Sequence, residues 1–290
     1  MDIMILLIMT TFIWAFSFSL IGDKLTHVDP YLSVVIRTGL SLVFFSPFIM
    51  KNFSIKNLKY IFIGAIQLGV MYCFYFNSFR FISVNNILLF TIFTPIYIVA
   101  INQIVYEKFS ITSTLLVILS VFGAYIIRKT NIDDATLTGF FLVQGANFCF
   151  GLGQVLYKKN IPEGTKQATV FPYFYLGAFL ISLLAFLVLG DKNKIPTTTS
   201  EFITLFYLGI IASGLGYYLW NRGSTQVSVT QLAIMNNLLI PAGIIVNILL
   251  WHGNFDITKL IIGSLFIILT SMADIWNNRK IEIRSSGDLT

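Results

Sequence analysis

Apolar residues recur along the chain in ten long blocks, separated by short polar interruptions. The blocks cover about 3–22, 31–50, 59–79, 85–105, 111–128, 138–157, 170–190, 202–220, 229–250 and 256–275. Each is close to the ~20 residues that a helix needs to cross the hydrocarbon core of a bilayer. The interruptions carry turn and interface chemistry: Asp29-Pro30, Lys51-Asn52, Tyr106-Glu107-Lys108, Arg128-Lys129, Pro162-Glu163-Gly164 and Asp191-Lys192-Asn193. The pattern predicts an all-α integral membrane protein of ten transmembrane helices, with gaps too short to hold an extramembrane domain. The first block has Asp2 and no basic flank, and it runs past Trp14 without a small-residue cleavage site. It therefore reads as a retained helix and not as a cleaved signal peptide.

Composition agrees with the pattern. The 290 residues are 56% hydrophobic and only 11% charged, against about 25% charged in soluble domains. The formal charge of +6 does not point to nucleic acid, because the Lys and Arg residues are scattered over the gaps, where membrane proteins carry them. Placing the N-terminus inside puts eleven of the 19 Lys and Arg on the cytoplasmic side and seven on the other, with Arg37 inside the second block. That bias predicts both termini in the cytoplasm and a polar cytoplasmic tail at 279–290.

The chain also repeats itself. The stretch "IFIGAIQLGVMYCFYFNSFRFISV" around the third block aligns with "FYLGIIASGLGYYLWNRGSTQVSV" around the eighth, 145 residues on. The alignment pairs Gly64 with Gly209, Gly69 with Gly214, Tyr72 with Tyr217 and Ser83 with Ser228. After a one-residue slip it pairs Pro95 with Pro241. The repeat unit is thus five helices, an odd number, so the two copies at 1–130 and 131–278 are expected to cross the membrane in opposite directions. Inverted repeats of this kind typify secondary transporters, whose substrate site lies near the midplane between the halves.

Several functions are excluded. No G-x-x-x-x-G-K-[ST] loop is present for ATP-driven transport. Cys73 and Cys149 lie inside apolar blocks, and His27 and His252 stand far apart at predicted helix ends. Neither a disulfide framework nor a metal cluster is expected, no cofactor is implied, and no nucleophile–base pair for an enzyme can be placed.

Polar groups at bilayer depth face a cavity or another helix. Gln144 and Asn147 share one face of the sixth block, and Asn236 and Asn237 precede Pro241, which loosens its helix. These four and Gln67 are candidates for lining a site. Trp14, Tyr72, Tyr217 and Trp220 add aromatic faces with a polar edge, Tyr72 and Tyr217 at matched repeat positions. Asn77, Gln154 and Asn247 read instead as bonds to a neighbouring helix. Arg37 is the only charged side chain deep in a block. It suits an anionic group in fork geometry, and equally a role in bracing two helices. No Asp or Glu lies mid-block, so a carboxylate proton relay is not expected.

These residues resemble the EamA-type branch of the drug/metabolite transporter superfamily: Trp14 in the first helix, Arg37 in the second, two five-helix repeats, and Pro95 and Pro241 in the fourth and ninth. Longer runs are similar to the YigM-type bacterial biotin transporters: "IWAFSFS" (13–19), "HVD-Y" (27–31), "GAIQLGVMY" (64–72), "LLFTIFTPIYI" (88–98) and "FLVQ" (141–144). The second half adds "FYLGAFL" (174–180), "ASGLGYYLWN" (212–221), "TQV" (225–227) and "IMNN--IPAG--VN" (234–247). One departure stands out. The superfamily commonly has a Glu after the fourth helix of each repeat; Glu107 fits, but the second copy has His252-Gly253.

The resemblance implies uptake of biotin across the bacterial inner membrane, with the lipid bilayer as surroundings and no ATPase partner. Export of amino acids or related metabolites, also found in the superfamily, is the alternative. Amides match the ureido group of biotin, aromatic walls its ring, and a cation its carboxylate. Without a phosphate loop or a buried carboxylate, the expected mode is facilitated diffusion drawn inward by consumption of biotin. Backbone carbonyls around Pro95 or Pro241 remain able to hold a coupling cation.

Overall fold

Helices are the form that satisfies every backbone group inside a bilayer, and helices make up most of the described chain. The computed structural model describes residues 2–51, 54–106, 109–127, 134–251 and 256–287. Among them, nine helices are long and apolar enough to cross a membrane, with one shorter apolar helix. In chain order they are α1 (Met4–Lys24), α2 (Pro30–Phe48), α3 (Ile55–Ser78), α4 (Asn86–Val105), α5 (Ile111–Ile127, the shorter one), α6 (Leu137–Asn160), α7 (Gln167–Leu189), α8 (Thr199–Ser224), α9 (Val229–Leu250) and α10 (Ile257–Asn277). The ten blocks of the sequence correspond to them one by one. The last helix continues beyond its apolar stretch into the polar tail, through Gly287.

The helix ends follow the chemistry of the breaks. Asp29 caps α2 by accepting from the Leu32 amide at 2.9 Å, with Pro30 in the first turn, where its missing N–H is not needed. Its second carboxylate oxygen accepts from the Asp191 amide at 3.0 Å, and its own amide donates to Lys194 O. One buried Asp therefore joins the α1–α2 and α7–α8 loops. A reciprocal capping box between Thr198 and Glu201 starts α8, and Gly164 supplies the positive φ (73°) at the Pro162-Glu163-Gly164 turn.

Packing repeats with the sequence. α2 lies on α7, α5 on α10 and α4 on α9; α1 packs on α8 and α9, while its counterpart α6 packs on α3 and α4. Exchanging each helix with the one five places along returns the same neighbours, as a pseudo-two-fold requires. Matched glycines permit the crossings. A Cβ on Gly64 of α3 would collide with the Phe174 carbonyl of α7, and one on Gly209 of α8 would lie 2.7 Å from Leu40 Cβ of α2.

Two irregularities are duplicated as well. Wide π turns interrupt α3 at Ala65–Val70 and α8 at Tyr207–Leu215, which overlap when offset by 145 residues. Such turns leave carbonyls to be satisfied from elsewhere and favour functional sites. The other pair is a break in α4 and α9 just ahead of Pro95 and Pro241. The first part of each broken helix is capped by a repeat-matched serine, Ser83 or Ser228, accepting from the amide of Asn86 or Gln231.

Candidate functional site

The breaks of α4 and α9, and the helical segments that follow the two wide turns, line one cavity. Its walls come from α1, α3, α4, α6, α8 and α9, with Arg37 reaching in from α2. Seven of the ten sequence candidates line it: Trp14, Arg37, Tyr72, Asn147, Tyr217, Trp220 and Asn236.

The floor is aromatic. The Trp14 ring lies 4.8 Å from Tyr217, 5.0 Å from Trp220 and 5.7 Å from Phe150, centroid to centroid. Trp14 Nε1 donates to Ala212 O at 2.9 Å, a carbonyl of the wide turn of α8. Other donors complete that turn: Tyr175 on Ser213 O (2.6 Å) and Gly214 O (3.0 Å), and Ser41 on Gly209 O (2.7 Å). Carbonyls freed by the turn are thereby satisfied by side chains of α1, α2 and α7.

Arg37 is 2% exposed. Its Nε donates to Ser213 Oγ at 2.7 Å, and Ser213 Oγ also shares a 2.9 Å hydrogen bond with the Tyr72 hydroxyl. The guanidinium lies 4.1 Å from the Tyr72 ring centroid and 5.2 Å from that of Phe76, close enough for cation–π attraction. Among the described residues, no carboxylate lies within ion-pair distance of Arg37 and no protein acceptor meets its Nη groups.

Amides occupy the other side. In the break of α4 the Thr94 amide bonds Thr91 O, one residue short of the α-helical register. Phe90 O therefore loses the Thr94 amide that α-helical register would give it, and it accepts in addition from Asn147 Nδ2 (2.8 Å) and Gln144 Nε2 (3.2 Å). Asn147 Oδ1 accepts from the Thr94 hydroxyl at 3.0 Å. Asn236 exchanges amide bonds of 3.3 and 3.4 Å with Gln154. The cavity is thus polarised, with a cation on the α2–α3–α8 side, amides on the α4–α6–α9 side, and rings between.

Three candidates stand elsewhere. Gln67 is fully buried against Gly153 and donates to Asn221 Oδ1 at 3.1 Å, joining α3, α6 and α8. Asn237 donates to Ser120 Oγ of α5 at 3.1 Å. Gln144 lies behind Asn147, whose Nδ2 donates to its Oε1 at 3.2 Å. Of the three amides read as helix-bonding, Gln154 does bond α9. Asn77 meets the Tyr31 side chain of α2 and also donates to Cys73 O of its own helix at 2.7 Å, while the Asn247 side chain lies outside what is described, as do Glu107 and His252.

Sequence reasoning missed Ser213, Tyr75, Thr94 and Phe150. Ser213 had a signal, since the repeat places apolar Leu68 opposite it. Phe150 follows Asn147 by three residues on one helix face.

An all-α bundle of two matched halves around a mid-bundle cavity defines a membrane carrier by its build. The EamA-like transporter family matches residues 2–129 and again 137–273, and the chain belongs to that family. Its relatives include the biotin transporter of Escherichia coli K12, 42% identical over 286 residues, covering 96% of this chain and 93% of that one. The Salmonella typhimurium biotin transporter is 40% identical with the same coverage. A probable biotin transporter of Pseudomonas aeruginosa is 35% identical and covers 96% and 99%. A crystal structure with 14% identity superposes at a TM-score of 0.76 over 96% of this chain and 99% of that one, which shows the shared fold.

Proposed function

We propose that this chain takes up biotin across the bacterial inner membrane by alternating access between its two halves, residues 1–130 and 131–278, without an ATPase partner. Both termini and the tail at 279–290 are placed in the cytoplasm by the Lys and Arg bias. The observation that carries the reading is the polarised cavity in a chain whose relatives, 35–42% identical over nearly full length, are named biotin transporters or a probable one. Biotin has a matching polarity: a carboxylate for Arg37, an apolar ring and stem for Trp14, Tyr217 and Phe150, and a ureido group for Asn147 and Asn236. Tyr72 and Trp220 complete the contacts, while Gln67, Gln144 and Asn237 hold the surrounding helices.

The test is uptake of radiolabelled biotin into proteoliposomes. The reading expects saturable uptake without ATP. Biotin methyl ester, which cannot form a charged pair with Arg37, should compete at least about tenfold less well. Absence of saturable uptake would refute the function, and equal competition by the ester would remove the carboxylate from Arg37.

A further inference from the structure

Arg37 presents an electrostatic problem that its neighbours do not solve. Among the described residues it is the only charged one lining the cavity, and it is almost wholly buried. Its one side-chain hydrogen bond among the described residues is to the neutral Ser213 hydroxyl. The nearby carbonyls of the wide turn already have other donors, namely Trp14, Tyr175 and Ser41. Ring faces at 4.1 and 5.2 Å soften the charge without neutralising it. Arginine is a cationic side chain, so the described lining of the unloaded cavity carries one net positive charge at membrane depth. A charge left unpaired in that position is costly to carry through an occluded state.

We propose that this protein has a further activity, exchange of one apolar monocarboxylate for another, and that exchange runs independently of membrane potential while net uptake does not. The inference rests on the reading that the carboxylate of biotin pairs with Arg37. Loaded, the cavity is electrically neutral, and its switch between the two faces moves no net charge. Empty, it carries the Arg37 charge, and returning to the outer face moves that charge against an inside-negative potential. The penalty for one elementary charge is about 2.3 kcal/mol per 100 mV, equal to about a 50-fold shift in the return equilibrium. Exchange replaces the empty return with a second loaded passage and avoids it.

The experiment uses the intact protein in proteoliposomes oriented by the accessibility of one tail. Radiolabelled biotin is added outside vesicles that are either empty or preloaded with unlabelled biotin, with a potassium diffusion potential of zero or about −100 mV imposed by valinomycin. Preloading should accelerate uptake of label several-fold. The negative potential should slow uptake into empty vesicles several-fold and leave exchange unchanged. Saturable uptake in which both modes respond equally to potential, or in which preloading has no effect, would overturn the exchange inference alone. Absence of saturable uptake in every arm would overturn it together with the functional reading beneath it.

Discussion

At the scale of single residues, two kinds of buried polar group separate. Ser213 is a positioning residue, because one hydroxyl fixes both Arg37 Nε at 2.7 Å and the Tyr72 hydroxyl at 2.9 Å. Changing Ser213→Ala leaves the Arg37 Nε–H and the Tyr72 hydroxyl without this shared partner, at about 1–3 kcal/mol. Biotin affinity should fall about tenfold in a binding titration with the purified protein; parental affinity would show that Arg37 needs no such support. Asn147 and Gln144 give a sharper contrast. Both donate to Phe90 O, but only Asn147 lines the cavity. Asn147→Ala should weaken binding about tenfold, whereas Gln144→Ala leaves Phe90 O its better donor and should change affinity less than about threefold. Equal losses would place Gln144 among the ligand contacts.

At the scale of elements, irregularity and close approach carry the architecture. Pro95 removes an amide from α4, the local register tightens, and the Phe90 carbonyl, having lost the Thr94 amide, takes up the α6 amides as well. The glycine crossings differ in what they leave room for. A Cβ on Gly64 would overlap deeply with a backbone carbonyl, which cannot move without moving α7, while a Cβ on Gly209 would meet Leu40 Cβ at 2.7 Å, a shallower overlap that a small shift of the helix relieves. Overpacking costs about 1–3 kcal/mol where side chains can adjust, and more where they cannot. Gly64→Ala should therefore lower the melting temperature in detergent more than Gly209→Ala. The reverse order would mean that the α3–α7 crossing is looser than its geometry states.

At the scale of the whole molecule, five-helix repeats require that corresponding helices run oppositely through the bilayer, and the cavity sits where the halves meet. The proposed topology makes a direct prediction. Single cysteines at Asn193 and at Thr290 should react with a membrane-impermeant thiol reagent from opposite faces of intact cells or vesicles. Labelling from one face would overturn the assignment of the termini, and with it the direction in which substrate is proposed to move.

The apolar blocks, their breaks and the 145-residue repeat were legible in the chain, because transfer of backbone into lipid leaves one local solution, the helix, whatever its neighbours. Trp14, Arg37 and the paired tyrosines were legible for a related reason: a polar group inside an apolar run is conspicuous without any knowledge of the fold. Their division of labour was not legible. Gln67, Gln144 and Asn147 look alike in sequence, yet they differ in whether helix rotation turns them to the cavity, behind it, or into a helix seam. The wide turns are equally silent, since they arise where donors such as Trp14, Tyr175 and Ser41 arrive from distant helices. Local free energy chose the helices. Only the packing of distant helices chose which polar atoms were satisfied by protein, and left Arg37 as a charge without a counter-ion among the described residues.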